Sequence, residues 1–273
     1  MTADFHELQV SGIVQETKDT RSYLFEIPPH LKELFRYKAG QFLTFEVPWN
    51  GMRLRRCYSL ASAPESDAWL KVTVKRVDEG RISNWFNDEL NVGDSIDVEV
   101  PQGRFTLHSG ETERGLVLFG GGSGITPVIS LLKTALHETS RAIRLVYGNR
   151  NRSSIIFAEE LERLQAGSGG RLTVEHRFDD EQGFLDRDAV RALLGGFESA
   201  HAYLCGPEAF MTVVEETLLA EGFGMDRIFI ERFEAHAVPG APEVVVGHAE
   251  AGAEAGIPTE IRVTQGGQEH VVP

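Results

Sequence analysis

Cysteine is nearly absent from this sequence: Cys57 and Cys205 are the only two among 273 residues, and they stand far apart. A disulfide framework needs more cysteines than this, and so does a zinc or iron–sulfur site built from them. We therefore expect no disulfide and no metal site within this sequence.

Positive charge is also scarce, since 27 Lys and Arg face 41 Asp and Glu, for a net charge of −14. Nucleic-acid binders and anionic-membrane binders normally present basic surfaces, so both classes are disfavoured. No apolar run approaches the roughly 18 residues of a spanning helix, and the N-terminus lacks a signal-peptide pattern. We expect a cytoplasmic protein that binds neither nucleic acid nor membrane.

The first half of the sequence is rich in strand patterns. Ser22–Ile27, Gln41–Val47 and Trp69–Val77 have strand length and apolar or β-branched residues, with Pro and Gly between them. One helix is predicted over Ile82–Leu90, where apolar residues fall on one face. Many short strands indicate an antiparallel β-barrel, which we assign to residues 1–110.

The second half alternates strands and helices, which is typical of a doubly wound parallel sheet. We assign this α/β domain to residues 111–234, with the boundary near 109–114. The predicted strands are Leu116–Phe119, Ile143–Tyr147, Leu172–His176, Ala202–Cys205 and Arg227–Ile230; the predicted helices are Pro127–Leu136, Phe157–Leu164, Arg187–Leu194 and Glu208–Ala220.

Beyond residue 234 the composition changes. Residues 235–258 are dominated by Ala, Gly, Pro, Val and Glu, which is a linker composition. Two short strands are predicted within 259–273, around the turn Gln265-Gly266-Gly267.

A glycine cluster, GGGSGITP over Gly120–Pro127, follows a buried strand and opens a helix. Glycines let the backbone approach a pyrophosphate, and a helix N-terminus offers unpaired N–H groups. Pro127 suits the first helical position, because its missing N–H would be unpaired there. The cluster predicts a dinucleotide site; the alternative is a glycine-rich turn without a ligand.

The nucleotide that binds there is left open by the sequence. The end of the next strand carries Arg150 and Arg152 but no acid for a ribose hydroxyl. The two arginines could bracket the 2′-phosphate of NADPH, or they could belong to a solvated basic loop that leaves NADH as the substrate.

The β-rich half contains Arg56-Cys57-Tyr58-Ser59, in which Arg56 can pair with a phosphate, Tyr58 can stack on a planar ring and Ser59 can donate a hydrogen bond. Together with GGGSGITP and Cys205-Gly206-Pro207, this order resembles the ferredoxin–NADP reductase family over about residues 8–233. Within the family, RCYSLASAP, KVTVKRV and YLCGPEAFM are similar to the reductase components of ring- and steroid-hydroxylating oxygenases.

The resemblance implies an FAD site. It implies contacts of Arg56 with the pyrophosphate, of Tyr58 with the isoalloxazine and of Ser59 near the reactive N5. Backbone groups from Lys75 to Val77 would line the polar edge of the ring. The second pyrophosphate segment would be formed by Gly80, Ile82 and Ser83. Cys57 is expected to point into the barrel without a chemical role.

The resemblance also implies a nicotinamide site. Its nucleotide-binding residues would be Gly122, Gly124, Thr126 and Pro127. Cys205, Gly206 and Pro207 would lie where the nicotinamide reaches the flavin, with Glu231 and Phe233 beside the flavin. As alternatives, Cys205 is an ordinary core residue and Phe233 is plain packing.

The implied function is transfer of a hydride from NAD(P)H to FAD, and then of single electrons to a 2Fe–2S centre that serves a terminal oxygenase. A ferredoxin domain often follows in this family, and residues 259–272 resemble its first hairpin, but the Cys-x₄-Cys-x₂-Cys motif is absent from this sequence. We expect the cluster in a part of the protein beyond this sequence or on a separate protein. The alternatives are a stand-alone ferredoxin or flavodoxin reductase and a non-catalytic nucleotide-sensing subunit.

Overall fold

The computed structural model describes residues 4–49, 51–108, 114–233, 261–265 and 268–272. The chain forms two compact units, residues 1–234 and residues 235–273. The first unit contains both large sheets. The predicted division of that unit near residue 110 falls among residues 109–113, outside the described residues, and stays a prediction.

The first sheet is antiparallel and has six strands in the order β4-β3-β6-β1-β2-β5. Its strands are β1 (Phe5–Thr17), β2 (Thr20–Glu26), β3 (Phe42–Trp49), β4 (Met52–Ser59), β5 (Leu70–Lys75) and β6 (Ser95–Glu99). A bridge between Leu60 and Val72 joins the two edge strands and closes the sheet. This confirms the predicted barrel.

Alternation along the strands builds the barrel core. Leu43, Phe45 and Val47 of β3 point inward, because successive side chains of a strand face opposite sides. Helix α1 (Arg81–Asp88) packs Phe86 into the same core. The helix ends two residues before the predicted end at Leu90, which is nevertheless buried.

The second sheet is parallel, with five strands in the order β11-β10-β7-β8-β9. Its strands are β7 (Leu116–Gly121), β8 (Ile143–Asn149), β9 (Leu172–Phe178), β10 (His201–Cys205) and β11 (Ile228–Glu231). Its helices are α2 (Ile125–Glu138), α3 (Ala158–Gly167), α4 (Asp179–Gln182), α5 (Arg187–Leu194) and α6 (Glu208–Ala220). The predicted doubly wound fold is confirmed.

The helices of this sheet cover both of its faces. Helices α2 and α3 bury one face of the sheet, and α5 and α6 bury the other. The strand order reverses between β7 and β10, and ligands of such sheets bind outside the carboxyl ends of the strands at that switch. A ligand site is therefore expected at the segments that follow β7 and β10.

In the second unit, β12 (Ile261–Gln265) pairs antiparallel with β13 (Gln268–Val272), and Gln265 faces Gln268. This is the predicted hairpin. The predicted linker at 235–258 lies outside the described residues. No helix in the described part of the chain is long and apolar enough to span a membrane.

Candidate active site at the switch between the parallel strands

The glycine loop packs against the end of β10. A Cβ on Gly124 would overlap the carbonyl oxygen of Cys205, and a Cβ on Gly121 would lie 2.7 Å from Pro207 Cδ. Gly122 has φ of 52° and open space around its Cα. Side chains are thus sterically excluded from two of these positions, and the backbone of the loop is left accessible to a ligand.

Helix α2 starts earlier than the sequence suggested. The loop runs through a 3₁₀ turn, Gly122–Gly124, directly into α2 at Ile125. The prediction that Pro127 is the first helical residue is wrong, since it is the third. Proline is tolerated there because the first four N–H groups of a helix have no intrahelical partner. Thr126 donates from Oγ1 to the Ser123 carbonyl at 3.1 Å, which fixes the turn.

A cavity of about 760 Å³ opens beside this loop. Of the residues predicted for cofactor binding, its lining contains Lys75, Gly122, Arg150, Gly206, Pro207 and Phe233. Lys75 comes from the barrel and the others from the parallel sheet or the segment after it. The cavity therefore lies between the two sheets, as a site for two cofactors requires.

Asn149, at the end of β8, was not singled out from the sequence. Its side chain is 4% exposed and lines the cavity, and neither Nδ2 nor Oδ1 makes a hydrogen bond of good geometry among the described residues, although the amide lies close enough to the Tyr147 hydroxyl to offset part of the rise that burial causes in its pKa. The Nε of Arg177, on the neighbouring strand, is likewise buried without a partner there. Buried polar groups normally have partners, so these two favour a polar ligand in the cavity.

A buried tyrosine holds this end of the loop. The Tyr147 hydroxyl donates to the Gly122 carbonyl at 3.1 Å and accepts from the Ile156 N–H at 3.2 Å. Burial raises the pKa of Tyr147, so its hydroxyl stays neutral. The sequence offered no signal for this role, because Tyr147 has the pattern of an ordinary strand residue.

The structure separates the two arginines that were predicted to bracket a phosphate. Arg150 lines the cavity. Arg152 is not part of that lining; its Nε donates to Glu181 at 2.8 Å and its guanidinium lies 4.7 Å from the Phe178 ring centroid. The bracketing geometry is therefore absent, because a local carboxylate already pairs with Arg152.

Asp179 contributes an acid that the sequence analysis did not find. It follows β9, the strand after β8, and it lines the same cavity. Burial raises its pKa, as does the negative charge of Asp180, while Arg150 lowers it. An acid therefore lines the cavity, although none stands at the end of β8.

Lys75 and Arg150 carry like charges into this cavity from the two sheets. Burial lowers the pKa of Lys75, Asp19 raises it at an Nζ–Oδ2 distance of 3.8 Å, and Arg150 lowers it further. Asp19 offsets part of the repulsion between the two cations, and an anion in the cavity would offset more of it. The pair is suited to a negatively charged ligand.

Of the three residues predicted to act near the flavin, Cys205 and Glu231 are neighbours in the parallel sheet, and Ser59 is the last residue of β4 in the barrel. Cys205 pairs with Glu231 across β10 and β11. Burial raises the pKa of the Cys205 thiol, and the negative charge of Glu231 raises it further. After burial, the carboxylates of Glu99 and then Glu231 raise the pKa of Cys57, so Glu231 also lies near the barrel. Ser59 follows Cys57 on the same face of β4.

Cys57 itself does not point into the barrel, so that expectation is wrong. Its Sγ lies 3.5 Å from Thr44 Oγ1, on the face of β3 opposite to Phe45. Tyr58 faces the core instead, with its ring centroid 6.0 Å from Phe45 and 5.1 Å from Phe86. The strand alternation places Arg56 on the side of Tyr58.

The segment from Val77 to Ser83 forms a tight turn into α1. Ser83 Oγ accepts from the Val77 N–H at 3.1 Å, and a Cβ on Gly80 would overlap that oxygen. Ile82 is buried in the barrel core, so only its backbone can meet a ligand. Val77 and Phe233 are large apolar side chains that stay exposed, 61% and 50% respectively. These features fit a planar apolar ring with a phosphate tail.

Arg56 is also placed for an anion. Its guanidinium donates to the Arg55 carbonyl at 2.7 Å and has no carboxylate within 4 Å among the described residues. Arg53 and Arg55 on the same strand, by contrast, both pair with Glu46. In the described ranges no group of three His, Cys, Asp or Glu side chains could hold a metal ion.

Comparison with known proteins agrees with this geometry. Residues 7–107 match the oxidoreductase FAD-binding domain family and residues 118–216 the oxidoreductase NAD-binding domain family. The ferredoxin reductase component of 3-ketosteroid-9-alpha-monooxygenase from Rhodococcus rhodochrous is 44% identical over 84% of this chain, which spans 65% of that relative. A 1,2-phenylacetyl-CoA epoxidase component from Escherichia coli K12 is 32% identical, over 84% of this chain and 68% of that relative.

A solved structure shares the fold across both domains. The flavohem-like FAD/NAD-binding domain of nitric oxide dioxygenase from Vibrio cholerae superposes with a TM-score of 0.73 at 27% identity, covering 84% of this chain and 99% of that domain. The resemblance proposed from the sequence is confirmed.

Proposed function

The chain belongs to the ferredoxin reductase family of FAD- and NAD-binding oxidoreductases, and we propose that it transfers electrons from NADH through FAD to an iron–sulfur protein that serves an oxygenase. Two relatives are named as a monooxygenase reductase component and a component of an epoxidase. Those names support the oxygenase assignment. The iron–sulfur acceptor rests on the resemblance described above.

One observation carries the proposal: the cavity between the two sheets leaves the Asn149 amide and the Arg177 Nε without a hydrogen bond of good geometry among the described residues, in a lining that has four cationic side chains (Lys75, Arg150, Arg177 and Arg232) against two carboxylates (Asp179 and Glu208). Buried polar groups without partners and an excess of positive charge both favour a polar anion as the ligand. A dinucleotide supplies both phosphates and hydroxyls. Its pyrophosphate suits the glycine loop at the start of α2, where N–H groups and the helix dipole favour anions.

FAD, when bound, supplies the chemistry: it accepts a hydride and releases electrons singly. We infer that Arg56 and the turn at Gly80 hold its pyrophosphate, and that Tyr58 and Phe233 contact its ring. The protonated Cys205 thiol and Glu231 orient the nicotinamide end. Because burial and Glu231 both raise the thiol pKa, Cys205 acts as a neutral group that excludes water and not as a nucleophile.

Of the two nucleotides, we propose NADH. A 2′-phosphate would need more than the single cation Arg150 that lies beside Asp179, since Arg152 is paired with Glu181 and does not line the cavity. Asp179, which lines the cavity, suits a ribose diol, because a carboxylate accepts hydrogen bonds from hydroxyls and repels a phosphate. Asn149 can both donate to and accept from such a diol.

The hydride step is tested by anaerobic titration of the FAD-loaded protein with NADH. We expect the flavin absorbance near 450 nm to bleach in proportion to added NADH, and the reduced protein to reduce a plant-type 2Fe–2S ferredoxin. A flavin spectrum that does not change with excess NADH contradicts the proposed function. Reduction of a flavodoxin but not of the ferredoxin would favour the stand-alone reductase.

The nucleotide choice is tested with Asp179→Asn, using Asp180→Asn as the matched control because Asp180 carries the same charge next to the cavity but does not line it. We expect wild-type kcat/KM to favour NADH over NADPH, and Asp179→Asn to reduce that ratio about tenfold, as one hydrogen-bonded charge is worth about 1.4 kcal/mol or more. Equal ratios in both variants, or a wild-type preference for NADPH, would contradict this assignment.

A further inference from the structure

A second polar region joins the two sheets on the side of α2 that faces the barrel. Ser130, Lys133 and Thr134 are buried on one face of this helix, since positions three and four apart are neighbours. An otherwise apolar, almost fully buried helix therefore carries one polar stripe.

Each side chain of that stripe bonds to the barrel segment between β4 and β5. Ser130 Oγ donates to the Ser62 carbonyl at 2.6 Å, and Thr134 Oγ1 donates to Glu65 at 2.7 Å. The Lys133 ammonium lies 2.7 Å from Asp67 Oδ2. The helix is thus attached to the barrel at three successive points.

Lys133 is also the centre of a closed set of charges, here called the charge network: Asp67, Lys71, Lys133 and Glu160. Glu160 Oε1 lies 2.8 Å from Lys133 Nζ, and its Oε2 lies 2.7 Å from Lys71 Nζ. Asp67 and Lys71 belong to the barrel, whereas Lys133 and Glu160 belong to the parallel-sheet helices. Charges of opposite sign therefore alternate across the boundary.

The charge network favours one fixed arrangement of its four side chains. Lys133 is only 5% exposed and contacts two carboxylates. Burial would raise the pKa of Glu160, but Lys133 and Lys71 hold it below its ordinary value, so this carboxyl stays ionised at neutral pH. A buried lysine between two carboxylates is tolerated only in good geometry, because each charge has lost its water.

The opposite end of the same helix carries the nucleotide loop. Gly124 and Lys133 are nine residues apart on one α-helical path, which corresponds to about 14 Å at 1.5 Å per residue. A helix is rigid over this length, so the attachment at Lys133 sets the angle at which the glycine loop faces the barrel. The nucleotide-binding groups themselves lie in the parallel sheet and do not contact Lys133.

We propose that Lys133 is a positioning residue for hydride transfer, which holds the nicotinamide-binding loop at reaction distance from the flavin-binding barrel through Asp67. The inference rests on the proposed function. Loosening the attachment lets the two sheets shift relative to each other, and a misplacement of about 1 Å can lower a rate by about 100-fold while leaving binding intact.

The test compares Lys133→Met, Lys133→Arg and Arg163→Met in the full chain loaded with FAD. Arg163 lines the same surface groove as Lys133, but it is 72% exposed and has only a 3.9 Å pair with Glu159. We expect Lys133→Met to lower the stopped-flow rate of flavin reduction by NADH at least tenfold and to weaken the long-wavelength band of a nicotinamide stacked on flavin. The calorimetric dissociation constant for ADP-ribose should stay within twofold.

Lys133→Arg should keep most of the rate, and Arg163→Met all of it. Asp67→Asn serves if Lys133→Met does not fold, because it replaces the ion pair of Lys133 with the barrel segment by a neutral contact and leaves the pairs of Glu160 with Lys133 and Lys71. A lower unfolding temperature with an unchanged rate of flavin reduction and an unchanged long-wavelength band would show that the network is only structural, and would overturn the proposal. Equal losses in ADP-ribose affinity and in the reduction rate would overturn it as well. A wild-type protein that NADH does not reduce contradicts the proposed function instead.

Discussion

Two polar regions bridge the barrel and the parallel sheet, and they differ in how their charges are paired. In the charge network around Lys133, ammonium and carboxylate groups alternate at 2.7–2.8 Å. In the cavity, Lys75 and Arg150 carry the same sign with only a 3.8 Å pair between Lys75 and Asp19, and the Asn149 amide makes no hydrogen bond of good geometry in the described part of the chain. Both regions are partly buried, so the difference does not come from solvent.

The difference indicates that the charge network connects the two sheets structurally, whereas the cavity is a binding site. Paired charges in the network satisfy one another and favour a single arrangement of the two sheets. Unpaired groups in the cavity leave an unfavourable free energy that a ligand of complementary charge would remove. The same boundary therefore combines a rigid attachment with a site suited to a dinucleotide.

The largest effect is expected when the glycine loop is displaced, because both the charge network and the cavity depend on the position of α2. Gly124→Ala places a Cβ onto the Cys205 carbonyl oxygen, and its three nearest atoms all belong to the Cys205–Gly206 backbone, so no flexible side chain can give way. We expect a loss of about 3 kcal/mol in the free energy of unfolding by urea, and loss of ADP-ribose binding.

Gly167→Ala is the matched control, because nothing lies within 4 Å of its Cβ position at the end of α3. It should be neutral or stabilising by up to about 1 kcal/mol. If the two variants unfold at the same urea concentration and bind ADP-ribose equally, the close approach of the loop to β10 is not required.

A second experiment sharpens the contrast between paired and unpaired cations within β4. Arg56→Ala should raise the dissociation constant for FAD at least tenfold, because a charge-assisted hydrogen bond is worth about 1.5–3 kcal/mol. Arg53→Ala, which removes a cation already paired with Glu46 and Asp97, should leave that constant within twofold. Retention of stoichiometric FAD by Arg56→Ala through dialysis would contradict the motif assignment.

Local sequence patterns predicted the limits of helices and strands better than they predicted contacts between residues far apart in the chain. Helix α6 has the predicted limits, Glu208–Ala220, because a proline precedes it and its apolar residues repeat regularly. The start of α2 was misplaced by two residues, since a 3₁₀ turn continues into the helix without a sequence signal. Of the two arginines, the pairing of Arg152 with Glu181 depends on a residue 29 positions away.

The missed residues have a common cause. Asn149 ends β8 and Asp179 follows β9, two strands that only the parallel sheet brings together, and the role of Lys133 needs Asp67 from the barrel segment between β4 and β5. Spacing along the chain carries no trace of such contacts. Motifs predicted the cofactors, whereas the contacts between sheets required the fold.

The prediction with the smallest expected effect concerns the charge of Asp179, and whether it destabilises the fold when no ligand is bound in the cavity. Burial and Asp180 raise the pKa of Asp179, whereas Lys133 and Lys71 lower that of Glu160 against the effect of burial. A raised carboxyl pKa means that the ionised form destabilises the fold above that pKa. For Glu160 the effect on stability has the opposite sign. Its ionised carboxylate stabilises the fold at neutral pH, and this stabilisation is lost as the pH falls through its lowered pKa.

Asp179→Asn should therefore raise the free energy of unfolding at pH 7, by less than about 1 kcal/mol because the group is largely solvated. The gain should vanish as the pH falls below the ordinary Asp value near 4, where the wild-type carboxyl is also neutral. Saturating NADH should reverse the ranking at pH 7, since the wild type then gains a hydrogen-bonded ligand that the variant holds less tightly. Urea unfolding at pH 7 and pH 3.5, with and without NADH at pH 7, measures this. A variant less stable than the wild type at pH 7 without nucleotide would show that Asp179 has a structural partner and that the cavity is not held open for a ligand.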